Sequence, residues 1–419
     1  MSRCYRTLIV GVTAMLPMSP VLAQSPSQGP FLTLDEAITQ AQANSPTNAV
    51  ASAGLQAADA QRRVARLRPN PSLEATTENV AGTGVYNGLR SAETTVGLSV
   101  PIELGGKRSA RIAVAEAQGG RAQLDATIAA ADLRLRVIQA YNEAAAAGQR
   151  VAVAREQVSI AGEVLRGARV RVRAGSASPL EEQRADVARI NAEGAAERAQ
   201  RTAEVTFANL GRLIGTPVTA IDQTWFARLP GIGPIVPVDS ASTLTAAAAR
   251  ADLTTADAQV RLARSQRVPD IAISASARRL EMTNDTAAVF GLSVPLPLFN
   301  NGKATVDLAS AQRSQLDALR RVATLNAEQE IAMAQADVGN AATSARNATG
   351  PALAAATEAA RIARIGYREG KFSQLDLLEA ERTLAETRAA AIDSLAAYHD
   401  AQARLERLTA AAPEPVKDN

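Results

Sequence analysis

Apolar and polar residues alternate along two short regions of this chain, whereas most of the remainder shows helical periodicity. In the first region, Leu73 and Ala75 fall on one face and Glu74 and Glu78 on the other. A period of two predicts β-strands with one apolar and one polar face. Turn-forming loops then predict one β-hairpin over residues 72–101 and a second over residues 270–295.

Alanine-rich segments around the two hairpins predict long helices. They are expected over residues 33–68, 107–174 and 180–213, before the second hairpin, and over residues 303–369 and 373–410. Thr33 with Glu36, and Ser178 with Glu181, form capping-box patterns at two helix starts. Pro351 predicts a kink in the helix that contains it.

The chain contains an internal duplication. The pentapeptide Gly-Leu-Ser-Val-Pro occurs at residues 97–101 and again at residues 291–295, each time followed shortly by Gly-Lys. Residues 58–66 match residues 256–264 at seven of nine positions. Because each copy is long and has the same order of segments, two similar halves are predicted rather than a many-unit solenoid.

The lengths of the predicted helices constrain how they pack. The helices over residues 33–68 and 180–213 have 36 and 34 residues, which together nearly match the 68 residues over 107–174. Either set spans about 100 Å at the helical rise. Two short helices end to end therefore match one long helix, as a uniform helical cylinder requires.

The first residues predict export. Two arginines precede an apolar run that ends in Val21-Leu22-Ala23, which predicts a signal peptide over residues 1–23, cleaved after Ala23. Cleavage would remove Cys4, the only cysteine. No later run approaches the roughly 20 apolar residues of a membrane-spanning helix. The remaining 43 basic and 42 acidic residues are interspersed, which argues against nucleic-acid binding.

No cofactor, metal site or catalytic group is predicted. The sole histidine, His399, is expected on a solvated helix surface, and only Met282 and Met333 remain as thioethers. Gly106-Lys107 and Gly302-Lys303 lack the other residues of a phosphate-binding loop. Since no nucleophile, base and orienting group recur at a recognisable spacing, an enzyme is not expected.

Four strands with one apolar face expose their edges unless those edges are paired. Several copies could close a membrane barrel, with apolar residues toward lipid and Glu74, Glu78, Ser99 and Ser274 toward a wet lumen. Three copies of a four-stranded chain would supply twelve strands. A soluble pair of hairpins packed on helices is the alternative, and strand patterning alone favours neither.

The order of helix, hairpin, long helix, turn and returning helix, present twice, resembles the TolC-like outer-membrane efflux proteins over nearly the whole chain. The narrower resemblance is to the CzcC-like components of heavy-metal cation efflux. It rests on Pro69-Asn70-Pro71 and on residues 101–108, with Gly105, Gly106 and Lys107; Gly302-Lys303 repeats this motif in the second half.

The resemblance implies a mainly α fold with a small β part. Long helical hairpins would form an α-barrel in the periplasm, and four strands per chain would contribute to a homotrimeric, twelve-stranded transmembrane β-barrel in the lipid of the outer membrane. It also implies two protein partners, a periplasmic adaptor (a membrane fusion protein) and an inner-membrane, RND-type proton-driven pump.

By resemblance, the turns at Gly175 and Ser178 and at Gly370 and Ser373 lie at the periplasmic tips, where the adaptor docks. The resemblance also implies that the narrowest part of the closed channel lies there. Both turns place a glycine shortly before a serine that can cap the next helix.

Candidate aperture residues follow the second tip. By resemblance, Asp376 and Glu379 occupy the positions that ring the opening, and residues three apart share a helix face. In a trimer their carboxylates would make the opening attract cations. Helix capping is the alternative role for Asp376. Glu181 and Arg184 correspond at the first tip, so a symmetrical acidic ring is not implied there, and Arg184 could form an ion pair between protomers.

The predicted organisation is a signal peptide (1–23), a first repeat (24–213) with tip turn 175–179, a linker (214–241) that packs on the helices, a second repeat (242–410) with tip turn 370–374, and a flexible tail (411–419). The predicted function is passive conduction of heavy-metal cations out of the cell. Alternatives are export of small organic compounds, type I secretion, and a periplasmic coiled-coil adaptor or structural protein.

Overall fold

A computed structural model describes residues 31–229 and 238–413. Within them the helices are α1 (Leu34–Asn44), α2 (Pro46–Arg66), α3 (Lys107–Arg173), α4 (Pro179–Ile214), α5 (Leu244–Ser265), α6 (Lys303–Asn347), α7 (Leu353–Arg368) and α8 (Gln374–Leu408). The strands are β1 (Ser72–Glu78), β2 (Glu93–Ile102), β3 (Ile271–Leu280) and β4 (Asp285–Ser293). The predicted signal peptide and its cleavage site lie outside the described residues.

The prediction of one helix over residues 33–68 was wrong. The helix ends at Asn44, Ser45 is extended with φ −69° and ψ 132°, and α2 begins at Pro46. Proline has no amide hydrogen for the helical ladder and disfavours helical geometry in the residue before it. Ser45 Oγ accepts a hydrogen bond from the Thr47 amide at 3.2 Å, which caps the new helix.

The long helices of both halves, α3 in the first and α6 with α7 in the second, have the lengths that the sequence predicts. α3 is one uninterrupted helix of 67 residues, about 100 Å at the helical rise. α6 and α7 join through a single π-helical turn over Ala348–Ala352, which contains Pro351. Proline there cannot donate to the α-helical ladder, so the ladder widens by one residue instead of ending. Over residues 31–229 and 238–413, no helix combines the length and the apolar character that a membrane crossing needs.

The helices form a single layer. α2 and α4 both pack on α3, α5 and α8 pack on its other side, and α6 and α7 pack beyond them. The layer therefore ends in α2 and α4 on one side and in α6 and α7 on the other. We call α2, α4 and β1 the first margin, and α6, α7 and β4 the second margin.

The strands form one antiparallel sheet in the order β1-β2-β3-β4. Leu98 lies opposite Leu73 on one side and Ala275 on the other, and Ser99 lies opposite Ser274. Among the described residues, β1 and β4 each pair with one strand only. The sheet thus has the same two open margins as the helical layer.

The two faces of the sheet differ in polarity. Val96, Leu98 and Val100 are exposed on one face. On the other, Arg278 forms an ion pair with Glu93 at 3.0 Å, one with Glu78 at 3.3 Å and a hydrogen bond with Thr95. These contacts confirm the alternation that the sequence predicts in the strands.

The sheet curls toward its polar face. A Cβ added at Gly97 would lie 2.2 Å from the Cβ of Ser276, and one added at Gly291 would lie 2.5 Å from Ser274 Oγ. Neighbouring strands therefore approach closely on this face, which only a residue without a side chain allows. The polar face is thus the concave one, and the apolar face is convex.

An aromatic cluster holds the end of the first half in the helical layer. Tyr141 and Phe226 are almost completely buried, and the rings of Tyr141 and Trp225 lie nearly perpendicular with their centres 5.6 Å apart. Burial raises the pKa of Tyr141, whose hydroxyl lies 2.9 Å from the Leu32 carbonyl oxygen. Residues 214–229 of the predicted linker therefore belong to the packed fold; residues 230–237 are outside the described part.

The expectation that His399 lies on a solvated surface was wrong. Its ring is 5% exposed, stacks on Trp225 at 4.1 Å and donates from Nε2 to the Phe226 carbonyl oxygen at 2.9 Å. Burial lowers its pKa below the ordinary value of 6.5. The ring is therefore held neutral as a packing and anchoring group of α8.

We expect His399 to make the stability of the protein depend on pH. As the pH falls below 6.5, the unfolded chain takes up a proton before the folded one does, so the free energy of unfolding decreases until the lowered folded pKa is passed. The limiting slope is about 1.4 kcal/mol per pH unit. His399→Gln keeps a donor for Phe226 and should flatten this slope in urea unfolding of the detergent-solubilised protein. Equal slopes for both proteins would contradict the assignment.

The predicted flexible tail does not begin at residue 411. Ala411 forms an antiparallel bridge with Thr243, and the Ala412 amide donates to the Ser242 carbonyl oxygen at 2.9 Å. These bonds hold residues 411 and 412 against the start of α5. Residues 414–419 are outside the described part.

Candidate functional site

Two turns lie at one end of the helical layer, after α3 and after α7. Gly175 and Gly370 occupy them with φ of 72° and 71°, in the left-handed region that favours glycine. The same hydrogen bond closes each turn, from Ser176 N to Arg171 O at 2.9 Å and from Lys371 N to Gly366 O at 2.8 Å. Both are Schellman motifs, so the two halves of the duplicated chain end their long helices identically.

The helices that follow the turns begin differently. At the second turn, Ser373 Oγ accepts from the Asp376 amide at 3.3 Å, while Asp376 Oδ2 accepts from the Ser373 amide at 2.9 Å. At the first turn, Ser178 Oγ accepts from the Leu180 amide, but the capping box that the sequence predicts with Glu181 does not form.

A buried contact ties the two turns together. Gln374 is 4% exposed, and its Nε2 donates to the Glu181 carbonyl oxygen at 2.7 Å. Glu181 Oε2 and Gln374 Oε1 are also buried, without a hydrogen-bond partner among the described residues. Sequence reasoning missed Gln374, because nothing local distinguishes it from an ordinary first-turn residue. The consequence is that the two tips of one chain are held as a unit.

The candidate aperture residues lie at this end of the molecule. Asp376, Glu379 and Arg184 are exposed, and Glu181 is half-buried. The Ser373 hydroxyl and amide donate to the Asp376 carboxylate and lower its pKa below the ordinary value of 3.8. Asp376 therefore caps α8 and also presents an ionised carboxylate to solvent.

An apolar cluster supports the tips from behind. Its buried members are Val164, Leu165, Ala168, Ala185, Ala363, Tyr367 and Leu377, contributed by α3, α4, α7 and α8. Phe372 covers Gly366 so closely that a Cβ added there would lie 2.1 Å from its ring. The Arg171 guanidinium lies 4.8 Å from the centre of the Tyr367 ring, a cation–π contact between the two hairpins.

A buried ion pair joins α7 to α8 just above the tips. The Glu381 side chain is 5% exposed, whereas its partner Arg364 is 43% exposed. Arg364 binds both carboxylate oxygens, with Nη2 to Oε2 at 2.8 Å. Since a carboxylate without its partner is costly to bury, this pair fixes the position of α8 against α7.

We expect Arg364→Ala to destabilise the tip. Losing the partner of a buried carboxylate costs about 3–5 kcal/mol, which the exposure of Arg364 reduces to about 2–3 kcal/mol. The matched control is Arg361→Ala, which removes an exposed pair with Glu358 on the same helix and should cost at most about 0.5 kcal/mol. Urea unfolding measures both. Equal losses would mean that the burial of Glu381 has no energetic consequence.

The motif residues at the strand–helix boundary lie at the opposite end of the helices. Pro69, Asn70 and Pro71 form the extended link between α2 and β1. Gly105 and Gly106 take left-handed conformations before α3, as Gly302 does before α6. In each half, these glycines turn the chain between the end of a strand and the start of a long helix. Lys107 and Lys303 are the first residues of these helices.

The boundary motif of the first half binds the second half. Lys107 Nζ lies 2.7 Å from Asp270 Oδ1, which also accepts from the Leu104 amide at 3.0 Å. Asp270 comes directly before β3, so one carboxylate joins the start of α3 to the start of the second hairpin. The sequence does not predict this contact, because its partners are far apart along the chain.

No group of three or more histidine, cysteine, aspartate or glutamate side chains is arranged to hold a metal ion within residues 31–229 and 238–413. The arrangement offers a layer of helices with a curled sheet at one end and charged tips at the other.

Comparison with known proteins agrees with this architecture. The family model described as "Outer membrane efflux protein" matches residues 37–216 and 242–411, the two halves of the duplication. The chain is 32% identical to the cobalt-zinc-cadmium resistance protein CzcC of Cupriavidus metallidurans, over 94% of this chain and 93% of that protein.

A second relative and a solved structure extend the comparison. The chain is 31% identical to the nickel-cobalt-cadmium resistance protein NccC of Alcaligenes xylosoxydans xylosoxydans, over 78% of this chain and 74% of that protein. The structure of the outer-membrane channel OprN superposes with a TM-score of 0.75 at 21% identity, over 90% of each chain. The fold is thus the one expected from the resemblance, and the chain belongs to the outer membrane efflux protein family.

Proposed function

We propose that three copies of this chain form the outer-membrane duct of a tripartite system that exports divalent heavy-metal cations. The mature chain would begin after Ala23, with the sheet in the outer membrane and the helices in the periplasm. The chain itself would conduct passively and perform no reaction, with energy supplied by an RND-type proton-driven pump in the inner membrane.

The open margins are the observation on which this proposal rests. The first margin and the second margin each run along the whole molecule, from a half-paired strand to an outermost helix. The described residues of a single chain leave both margins uncovered. A ring of copies would pair the first margin of one with the second margin of the next, in the sheet and in the helical layer at once.

Exposed apolar side chains favour the same closure. On the margin helices they are Val50, Val64, Leu180, Val187, Ile190, Val205, Leu308, Leu319, Val322, Leu325, Met333, Ile362 and Ile365. Among the remaining α-helices of the described residues, only α3 and α8 expose a large apolar side chain, Val170 and Leu375 respectively. Copies that pair along their margins would remove most of this apolar surface from water.

The two faces of the sheet suit a barrel wall. The convex apolar face with Leu98 would meet lipid, and the concave polar face with Ser99, Ser274, Glu74 and Glu78 would line a wet lumen. Four strands from each of three copies would give twelve. This number leaves room for an open channel, which fewer strands would fill with side chains.

We place the adaptor at the tips around Gly175, Ser178, Gly370 and Ser373, and the aperture at Asp376 and Glu379. Six exposed carboxylates around the axis would favour cations at the entrance. Glu181 and Arg184 would lie on the same rim, with Arg184 free to pair across protomers. Selectivity among metals would reside in the pump and adaptor, because the described residues offer no ligand set.

Metal tolerance tests the cargo. A strain lacking the gene should be more sensitive to cobalt or cadmium than its parent, and a plasmid copy of the gene should restore tolerance. Both relatives are named for these two metals. The comparison should also include zinc, nickel, copper and silver. Equal survival on all these metals, together with greater sensitivity to dyes or antibiotics, would replace metal export by export of organic compounds.

A further inference from the structure

The segment between β4 and α6, residues 294–299, is an exposed apolar projection. Leu296, Leu298 and Phe299 are 73%, 79% and 103% exposed, so no neighbour among residues 31–229 and 238–413 covers Phe299. The Leu298 amide donates to the Leu296 carbonyl oxygen at 2.9 Å around Pro297. This tight turn fixes the backbone and points the apolar side chains away from the fold.

The corresponding segment of the first half is built differently. Six residue steps separate Pro101 from Lys107, whereas eight separate Pro295 from Lys303. In the first half, Glu103 forms an ion pair with Arg111 and the segment packs against the second hairpin. The second half is therefore longer at this one place and has exchanged a paired acid for exposed apolar residues.

The base of the projection is firmly held. Asn300 Oδ1 accepts from the Gly302 amide at 3.0 Å, and Asn301 Oδ1 accepts from the Lys303 amide at 3.0 Å. Arg267 Nε donates to the Asn301 carbonyl oxygen at 3.3 Å. The backbone thus holds the apolar side chains of residues 294–299 in a fixed, exposed position. Such an arrangement indicates that this surface contacts an apolar environment.

Continuity with the sheet identifies that environment. Phe290 and Leu292 lie on the convex apolar face, and Val294 and Leu296 continue the same alternation beyond the end of β4. The projection therefore extends the apolar face toward the helices. Side chains in this alternation stand on the face of the sheet, whereas another copy of the chain would pair with the backbone edge of β4.

Basic side chains lie, like the projection, at the boundary between the strands and the helices. Arg68, Arg267 and Lys303 are exposed at the boundary between strands and helices. An apolar projection beside basic groups is the arrangement that binds the boundary between the acyl chains and the phosphates of a bilayer.

We propose that residues 294–299 insert into the periplasmic leaflet of the outer membrane as an interfacial anchor, with Arg68, Arg267 and Lys303 contacting phospholipid phosphates. The occupant of this surface is lipid and not an adaptor or a second copy of the chain. This inference rests on the proposed barrel, because it takes the bilayer to surround the convex face of the sheet.

Depth-dependent fluorescence quenching tests the anchor. Phe299→Cys, Leu292→Cys and Gln118→Cys, each combined with Cys4→Ala, would be labelled with a fluorescent maleimide and reconstituted in phosphatidylcholine and phosphatidylglycerol vesicles containing nitroxide phospholipids. We expect the label at 299 to be quenched at least about twofold more than the label at 118, most strongly by nitroxides near the headgroup, as for a side chain about 5–10 Å deep. The label at 292 should respond to deeper nitroxides.

The three positions separate the possible failures. Quenching at 292 without quenching at 299 would overturn the anchor and leave the barrel proposal intact. The same result is expected if a neighbouring protomer, and not lipid, covers residue 299. Absence of quenching at 292 and 299 alike would remove the barrel proposal and the anchor with it.

Discussion

Leu98→Arg should prevent the protein from accumulating in the outer membrane as a heat-modifiable oligomer. Leu98 is 54% exposed near the middle of β2, on the convex apolar face. An arginine facing lipid near the bilayer midplane costs about 2–4 kcal/mol in a membrane barrel. Each of the three chains in the proposed trimer would bear this cost, so the free energy of the assembled form rises by three times the cost for one chain. Outer-membrane fractions analysed with and without boiling measure the effect.

The neighbouring position supplies the matched control. Ser99 lies on the same strand and opposite Ser274, but on the polar face. Ser99→Arg should therefore leave the amount of oligomer within about a factor of two of the unsubstituted protein, because its charge faces water. Normal assembly of Leu98→Arg, or equal failure of both variants, would show that the convex face does not meet lipid.

Replacing both candidate aperture acids, by Asp376→Asn and Glu379→Gln, should reduce the cation preference of single channels. Asparagine keeps an oxygen acceptor for the Ser373 cap, so the change removes charge with little loss of the helix start. Loss of six carboxylates from a trimeric rim should lower the ratio of cation to anion permeability by about two- to fivefold. Reversal potentials in planar bilayers under a salt gradient give this ratio.

Glu386→Gln is the control for the aperture variants. Glu386 lies two helical turns beyond Glu379 on α8, is exposed, and accepts a hydrogen bond from Arg382 at 2.8 Å. Its removal should change the permeability ratio much less than removal of the tip carboxylates. If Glu386→Gln has the larger effect, the narrowest charged part of the channel lies further from the tips than proposed.

The sequence predicted the parts of the fold that depend on local patterns. Apolar and polar residues alternate in β2 and β3, so the two faces of these strands followed directly from the sequence, whereas their pairing with each other did not. The tip turns were also predictable, since a glycine followed by a capping serine has one common helix-ending geometry. Matching helix lengths correctly indicated that the segments over residues 33–68 and 180–213 lie beside α3, although the first of them is two helices, α1 and α2.

Long-range contacts were the part that local patterns could not predict. His399 resembles a surface residue until Trp225, from a distant segment, stacks on it. Asp270 and Gln374 are ordinary polar residues whose partners lie in the other half of the duplication. The break at Ser45 was missed because proline is well tolerated in the first turn of a helix, so Pro46 alone does not distinguish a new helix from a kink.

Cross-linking between margins tests the central claim most directly. Thr76→Cys on β1 and Val289→Cys on β4 lie on the two outer strands of one sheet, separated by about 14 Å across three strand spacings. In a Cys4→Ala background, a short bismaleimide should join copies in cell membranes into covalent species that end at three chains, while each single-cysteine variant stays monomeric. Only monomers from the double variant, or cross-linking by either single variant, would contradict a closed ring built from margin to margin.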